Sequence, residues 1–444
     1  MLICFYFYLY PMLKQILAAF ILLSNTLFAQ DVKYAHSIVD SLASTTMFGR
    51  GYVKNGDKMA ALFIQNKLQE SKLDFFGKGY FQAFTLSVNT FPGKVLLTVD
   101  GFNFNAVAGA DYLLGSGNPK IKKKKREVVW LDSTLLSSKE NTLHFLESNL
   151  KNKWIIVNKK DISSKENLSL VNAIQGNFLN AFGIATIEPK KLGWHVSQQK
   201  YSFPTLDLLV SDSAYSKINK NNTSYITLSY DEKFIKEYKT QNVIGYIKGS
   251  QHPDSFIVFS AHYDHLGQMG NDAIFTGAND NASGTAMLLD LVKYYYKPEN
   301  KPSYSIAFMF FGAEEAGLVG SKFYTENPLF PLKNIRFLIN LDLMGAAEEG
   351  ITVVNATEFT KEFETIKQLN DSKKYVAQVK SRGKAANSDH YFFSEKGVPS
   401  FFIYTMGSIK AYHDIYDTAD KLPFVKYNEL FGLITDFAKE LQLK

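Results

Sequence analysis

From about position 236 to the C-terminus, short apolar runs alternate with segments of helical spacing. "NVIGYIKG", "FIVFSA", "SYSIAFMFFGAEEAG", "IRFLINLDLMG", "ITVVNA" and "SFFIYTMG" are rich in β-branched and aromatic residues and read as buried strands. "GTAMLLDLVKYYY" repeats its apolar residues as a helix does. Strands alternating with helices predict an α/β three-layer sandwich with a mainly parallel central sheet. Between about 91 and 235 the pattern changes. "KVLLTV", "EVVWL", "KWIIVN" and "ITLSY" alternate with polar loops, and Trp130, Trp154 and Trp194 all fall here. This stretch reads as a β-rich inserted domain. Upstream, in 30–90, Met59, Leu62, Phe63, Leu68 and Leu73 fall on one face of a helical pattern, and the strand-like "YFQAFTLSV" follows.

The polar residues that interrupt these apolar runs stand at strand ends. His262 and Asp264 follow "FIVFSA", with His265 next to them. Asp280 lies in the Gly- and Asn-rich loop "GANDNASGTA", which opens a helix. Glu314 and Glu315 follow "AFMFFGA", Asp342 follows "FLIN", and His413 sits in "KAYHDIYDT" after a further strand. Ligands of open α/β sheets bind beyond the carboxyl ends of the strands, so residues far apart in sequence can meet there. Two imidazoles and several carboxylates suit zinc or a similar divalent ion. Five ligands, one of them bridging, imply two ions that share a site. Of two neighbouring glutamates, one can hold metal while the other takes a proton from water.

Composition narrows the choice. With 46% hydrophobic and 21% charged residues, the 444-residue chain is globular rather than disordered. A net charge of +6 is modest for this length and predicts no nucleic-acid partner. The basic run "KIKKKKRE" is expected to be a solvated loop. Cys4 is the single cysteine, so no disulfide framework or thiolate metal site is available. It lies inside 1–29, a stretch with the layout of a cleaved signal peptide. From Met12, one lysine precedes a short apolar core at 16–23, and Ala29 occupies a plausible cleavage position. That core is too short to span a bilayer comfortably, so the expectation is a secreted or periplasmic protein with no stable membrane insertion. Nothing in the sequence speaks to oligomeric state.

"SAHYDHLG", "GANDNASGTA", "FFGAEEAGLVGS", "INLDLMG", "SDHYFF" and "AYHDIYDT" resemble, in order, the motifs of the M28 zinc metallopeptidases. "FGRGYVKNGDKMAALFIQNKLQ" is similar to the family's opening helical region. The resemblance implies a co-catalytic zinc exopeptidase acting on peptides, most simply an aminopeptidase. By that match, His262 and Asp342 would bind one zinc, Glu315 and His413 the other, and Asp280 would bridge them. Glu314 would be the general base, Asp264 would orient His262, and Tyr412 would stabilise the oxyanion. Asp389 and His390 match a motif near the pocket but are not ligands. His265 has no implied role. The segments "KNKWIIVNKK", "NAIQGNFLNAFGIATI" and "FPTLDLL" of the insert resemble a protease-associated domain. Two alternatives keep part of this picture. A carboxypeptidase would need an arginine for the terminal carboxylate, and Arg382 fits better than Arg336, which belongs to a strand. A non-catalytic peptide-binding module would have little use for an intact Glu314. Glutaminyl cyclase is disfavoured because both ligand sets are complete.

Overall fold

The computed structural model describes residues 32–100, 106–158, 162, 164–188, 190–209 and 223–443. The expected signal peptide, with Cys4 and Met12, lies outside them. Two sheets organise the chain. The larger has eight strands: β1 (Phe81–Thr90), β2 (Lys233–Ile247), β3 (His252–His262), β4 (Tyr304–Phe311), β5 (Ile335–Asp342), β6 (Gly350–Val354), β7 (Val379–Arg382) and β8 (Ser400–Met406). Their order is β1-β2-β4-β3-β5-β8-β6-β7. The central four, β4, β3, β5 and β8, run parallel to one another. Antiparallel pairs β1–β2, β2–β4 and β6–β8 flank them.

The centre is parallel because it is covered on both faces. Ile257, Phe259 and Ala261 of β3 point into a core with the helices Val32–Leu42, Gly56–Glu70, Gly284–Tyr296 and Tyr427–Leu443. Phe256 and Val258 point the other way, toward Tyr324 and Phe393 on the short helices Val319–Glu326 and His390–Glu395. These are the three layers expected. The helix Gly56–Glu70 departs from the expected face. Ala60, Ala61, Ile64 and Leu68 are buried, whereas Met59 and Leu62 are exposed. Small alanines let the helix sit close to the sheet, and an apolar pattern weighted by side-chain size points away from that contact.

The second sheet has seven strands and leaves the first between β1 and β2. Its order is Val95–Val99, Tyr225–Tyr230, Ile121–Leu131, Trp154–Asn158, Gly183–Glu188, Thr205–Leu209 and Tyr112–Leu114. The helices Lys139–Glu147 and Lys165–Gln175 carry Phe145, Val171 and Ile174 into a core on one face. The basic run is not a loop. It forms the first half of the strand Ile121–Leu131, paired antiparallel to Tyr225–Tyr230, with its lysine side chains exposed. An edge-facing half-strand can keep every charged side chain in water while its backbone pairs, and a charge run does not reveal that. The second core also includes Leu266, Met269, Ala273 and Phe275, which follow β3, so the two sheets are packed together.

Candidate metal centre

Because β3, β4, β5 and β8 are parallel, their carboxyl ends open on the same edge. His262 and Asp342 are the last residues of β3 and β5. Glu314 and Glu315 stand three and four residues beyond β4, and His413 is in the loop after β8. Asp280 lies in the irregular turn Ala278–Ser283, which leads into the helix Gly284–Tyr296. All five expected ligands meet here. His262 Nε2 lies 3.4 Å from Asp280 Oδ1 and 3.4 Å from Asp342 Oδ2. His413 Nε2 lies 3.3 Å from Asp280 Oδ2 and 3.3 Å from Glu315 Oε2. Asp280 thus turns one oxygen to each imidazole.

These separations fit a cation better than they fit direct hydrogen bonds. N–H···O bonds centre near about 2.9 Å. Donors placed about 2.0–2.1 Å from a tetrahedral zinc stand about 3.3–3.4 Å apart. Each of these imidazoles keeps that spacing to two carboxylates, and both share Asp280. On the second side the donors of His265, Asp280 and Glu315 also lie within 4.8 Å of one another, with His413 beside them. Asp342 Oδ1 is buried and makes no hydrogen bond, as a site built for a cation allows. His265 is a closer neighbour than the sequence implied. Its Nδ1 is 2.7 Å from Glu315 Oε1 and 4.0 Å from Asp280 Oδ1. The short contact is a hydrogen bond that holds Glu315, and the uneven pair of distances makes His413, not His265, the partner equidistant from Asp280 and Glu315.

Asp264 meets His262 through its main chain more closely than through its carboxylate. His262 Nδ1 meets its main-chain oxygen at 3.2 Å, while its carboxylate is 3.8 Å away. The carboxylate instead accepts the amides of Glu314, at 3.1 Å, and Glu315, at 3.3 Å. Asp264 therefore fixes the turn that carries both glutamates. Tyr412 stacks on His413, with ring centres 4.0 Å apart, and lines a cleft of about 500 Å³ together with Glu314, Asp342 and Arg382. Arg382 donates to Tyr404 Oη at 3.2 Å. Arg336 lies over the Tyr304 ring, 4.5 Å from its centre, and is not among the residues lining the cleft. Asp389 and His390 are buried near the site, and neither belongs to a triad.

Three residues escaped the sequence reading. Arg50 is fully buried and donates to five main-chain oxygens, those of Tyr263, Leu42, Thr276, Gly277 and Asp280. Burial lowers its pKa to about 10, which leaves it charged at neutral pH. Asp417 accepts the amides of Asn279 at 2.8 Å and Asp280 at 3.0 Å. The Asp280 main chain is thus clamped by a cation on its carbonyl side and an anion on its amide side. The third is His195, from the inserted segment, whose Nδ1 is 3.2 Å from His413 Nδ1. Arg50 and Asp417 lie within quoted motifs, but no spacing rule marks a side chain that bonds only to backbone.

The protein groups alone polarise the site. Burial opposes charge on His413, yet Asp280 and Glu315 raise it to about 10. Burial pushes the Glu315 carboxyl up, with Asp280 adding to that, but the hydrogen bond from His265 and the nearby His413 imidazole bring it down to about 2. Glu314 is driven well above the usual carboxylate range by burial, reinforced by Glu315, Asp389 and Asp342 and opposed by His262. The surroundings thus drive the two neighbouring glutamates in opposite directions.

A parallel-centred α/β sandwich with two imidazole–carboxylate triads sharing one carboxylate defines an α/β metallohydrolase. Residues 242–437 match Peptidase family M28, and the domain that carries the site belongs to that family. Aminopeptidase YwaD of Bacillus subtilis is 25% identical over 380 residues, covering 83% of this chain and 74% of the relative. A probable leucine aminopeptidase of Arthroderma otae is 28% identical over 218 residues, and the match spans 47% of this chain and 60% of the relative. Among solved structures, a peptidase M28 precursor from Shewanella amazonensis superposes with a TM-score of 0.70 at 19% identity, covering 93% of this chain and 94% of the other. The zinc aminopeptidase BSAP of Bacillus subtilis superposes with a TM-score of 0.67 at 20% identity, covering 93% and 96%. At these identities the superpositions establish the fold.

Proposed function

We propose that this protein is a zinc-dependent exopeptidase that removes N-terminal residues from peptides outside the cytoplasm. The observation that carries the reading is the pair of triads at cation spacing around Asp280. His262, Asp342 and Asp280 would hold one zinc, and His413, Glu315 and Asp280 the other. Ions bound there supply Lewis-acid polarisation of a carbonyl and lower the pKa of water.

The chain's own residues do the rest. Glu314 lines the cleft beside Glu315 and Asp342, where its carboxylate takes a proton from the attacking water and returns it to the departing amine. Asp264 holds Glu314 and Glu315 in register through their amides. The Tyr412 hydroxyl, in the same cleft, is the donor for the developing oxyanion. The apolar walls Leu318, Leu343 and Phe402 favour a substrate with an apolar end residue. Nucleic acid has no place in this reading. Secretion is supported by the pattern at 12–30, and no helix among the described residues is long and apolar enough to cross a membrane.

Arg382 at the same cleft favours a second reading, capture of a terminal carboxylate. One experiment separates the two. The purified, zinc-loaded chain is offered short peptides with free and N-acetylated termini, and products are read by mass. Loss of N-terminal residues from free peptides only, lowered about 10²–10⁴-fold in Glu314→Gln with zinc content retained, is the expected result. Trimming from the C-terminus would replace it with the carboxypeptidase reading. No trimming of any peptide would leave a binding module.

A further inference from the structure

The inserted sheet reaches the metal centre through the segment 191–198. The Trp194 amide donates to the His413 carbonyl at 2.8 Å, and Lys191 Nζ pairs with Asp414 at 2.7 Å. Gln198 Nε2 donates to the carbonyl of Ala316, next to Glu315, at 2.7 Å. The segment is anchored on its other side. Trp194 stacks on Phe275 with ring centres 4.9 Å apart, and its indole N–H donates to Leu114 of the insert at 2.9 Å. It holds His195 with Nδ1 3.2 Å from His413 Nδ1.

Two ring nitrogens at that distance share one hydrogen. His413 turns Nε2 to Asp280 and Glu315, and a lone pair at Nε2 requires the hydrogen on Nδ1. His195 Nδ1 must then be the acceptor, and its own hydrogen sits on Nε2. A ligating imidazole is commonly oriented by whatever accepts its second N–H. For His262 that acceptor is the main-chain oxygen of Asp264. For His413, among the described residues, it is a side chain contributed by the insert.

We propose that His195 is a positioning residue of the metal centre, fixing the tautomer and ring orientation of His413 and so making the insert part of the second cation site. This rests on the paired-cation reading above. His195 is exposed, so replacing it spares the core. The test compares the parent with His195→Ala, His195→Phe and His195→Asn, titrating zinc against graded chelator and counting bound ions by native mass spectrometry. Asparagine keeps an acceptor near the Nδ1 position, and alanine and phenylalanine do not. Ala and Phe should weaken one of the two ions by about 10–100-fold and leave the other in place, with Asn within about threefold of the parent. Metal-free unfolding temperatures should be the same in all four proteins, which a structural role would not give. If Phe retains both ions at parental affinity, or Asn loses as much as Phe, the proposal is wrong. If the parent binds fewer than two ions, the paired-cation reading fails and this proposal falls with it.

Discussion

The two sheets solve the same burial problem in different ways, and the difference locates the chemistry. In the eight-stranded sheet, β4 and β5 are almost wholly buried, since helices cover both faces. In the inserted sheet the middle strands Trp154–Asn158 and Gly183–Glu188 are buried too, but Val95–Val99 and Tyr225–Tyr230 alternate buried and open positions, because there one side faces water. An ionisable residue in the alternating sheet is unremarkable, as the exposed lysines of Ile121–Leu131 illustrate. The same residue at the end of a doubly buried strand must be paired, neutral or bound to a cation. Fully buried strands that point the same way therefore concentrate costly groups at one edge, which is what a metal centre requires. The insert adds little charge there, but it adds the segment that touches His413.

This contrast can be broken by matched substitutions. Arg50→Met removes a buried cation shared by five carbonyls and should cost roughly 3–5 kcal/mol. It should also lower zinc affinity, because the Asp280 turn loses its anchor. Ile156→Ala in the insert should cost a comparable 2–5 kcal/mol, on the order of other large-to-small core changes, but leave zinc affinity in the folded protein unchanged. Denaturant melts and chelator titrations on both variants check the pair. Equal loss of zinc in the two would mean that the insert core and the site are one cooperative unit.

A smaller effect tests burial beneath the first sheet. Asp57 accepts from Tyr238 Oη at 2.6 Å and Thr240 Oγ1 at 2.8 Å, yet burial still raises its pKa to about 6. In the unfolded chain the value is about 3.9. The folded state thus holds the proton more tightly, and its stabilising contribution is complete below about pH 4 and lost as pH rises through 6. The difference amounts to about 3 kcal/mol. Asp57→Asn should flatten the fall in stability between pH 4 and pH 7 by about that amount. Urea midpoints at the two pH values decide it, and an unchanged slope would show that the hydrogen bonds outweigh burial. The smallest effect belongs to the exposed lysines. Lys122→Gln and Lys124→Gln should each shift stability by less than about 0.5 kcal/mol, and a larger change would mean that the half-strand pairs through its side chains.

Much of the catalytic half was legible in advance. The runs "FIVFSA", "AFMFF" and "FLIN" are apolar because both faces are covered, and that requirement acts locally on composition. His262, Glu314, Glu315 and Asp342 could be singled out because each ends or closely follows such a run, and Asp280 and His413 because they stand in the polar loops between runs. The helix Gly284–Tyr296 showed its period within one segment. What stayed hidden involves residues whose partners are backbone atoms or lie in another region of the chain. Arg50 bonds only to carbonyls, and any exposed arginine would look the same in sequence. Asp264 was placed correctly near its site, but whether its main-chain oxygen or its carboxylate faces His262 is a matter of angstroms. The lysine run is charged whether it forms a loop or half a strand. His195 belongs to no quoted motif and meets His413 only because the segment 191–198 is pinned between the two sheets. Sequence determined which groups are too costly to bury without purpose. Tertiary structure alone decided which of them meet, since hydrogen bonds and cation sites are set by short distances that chain separation does not encode.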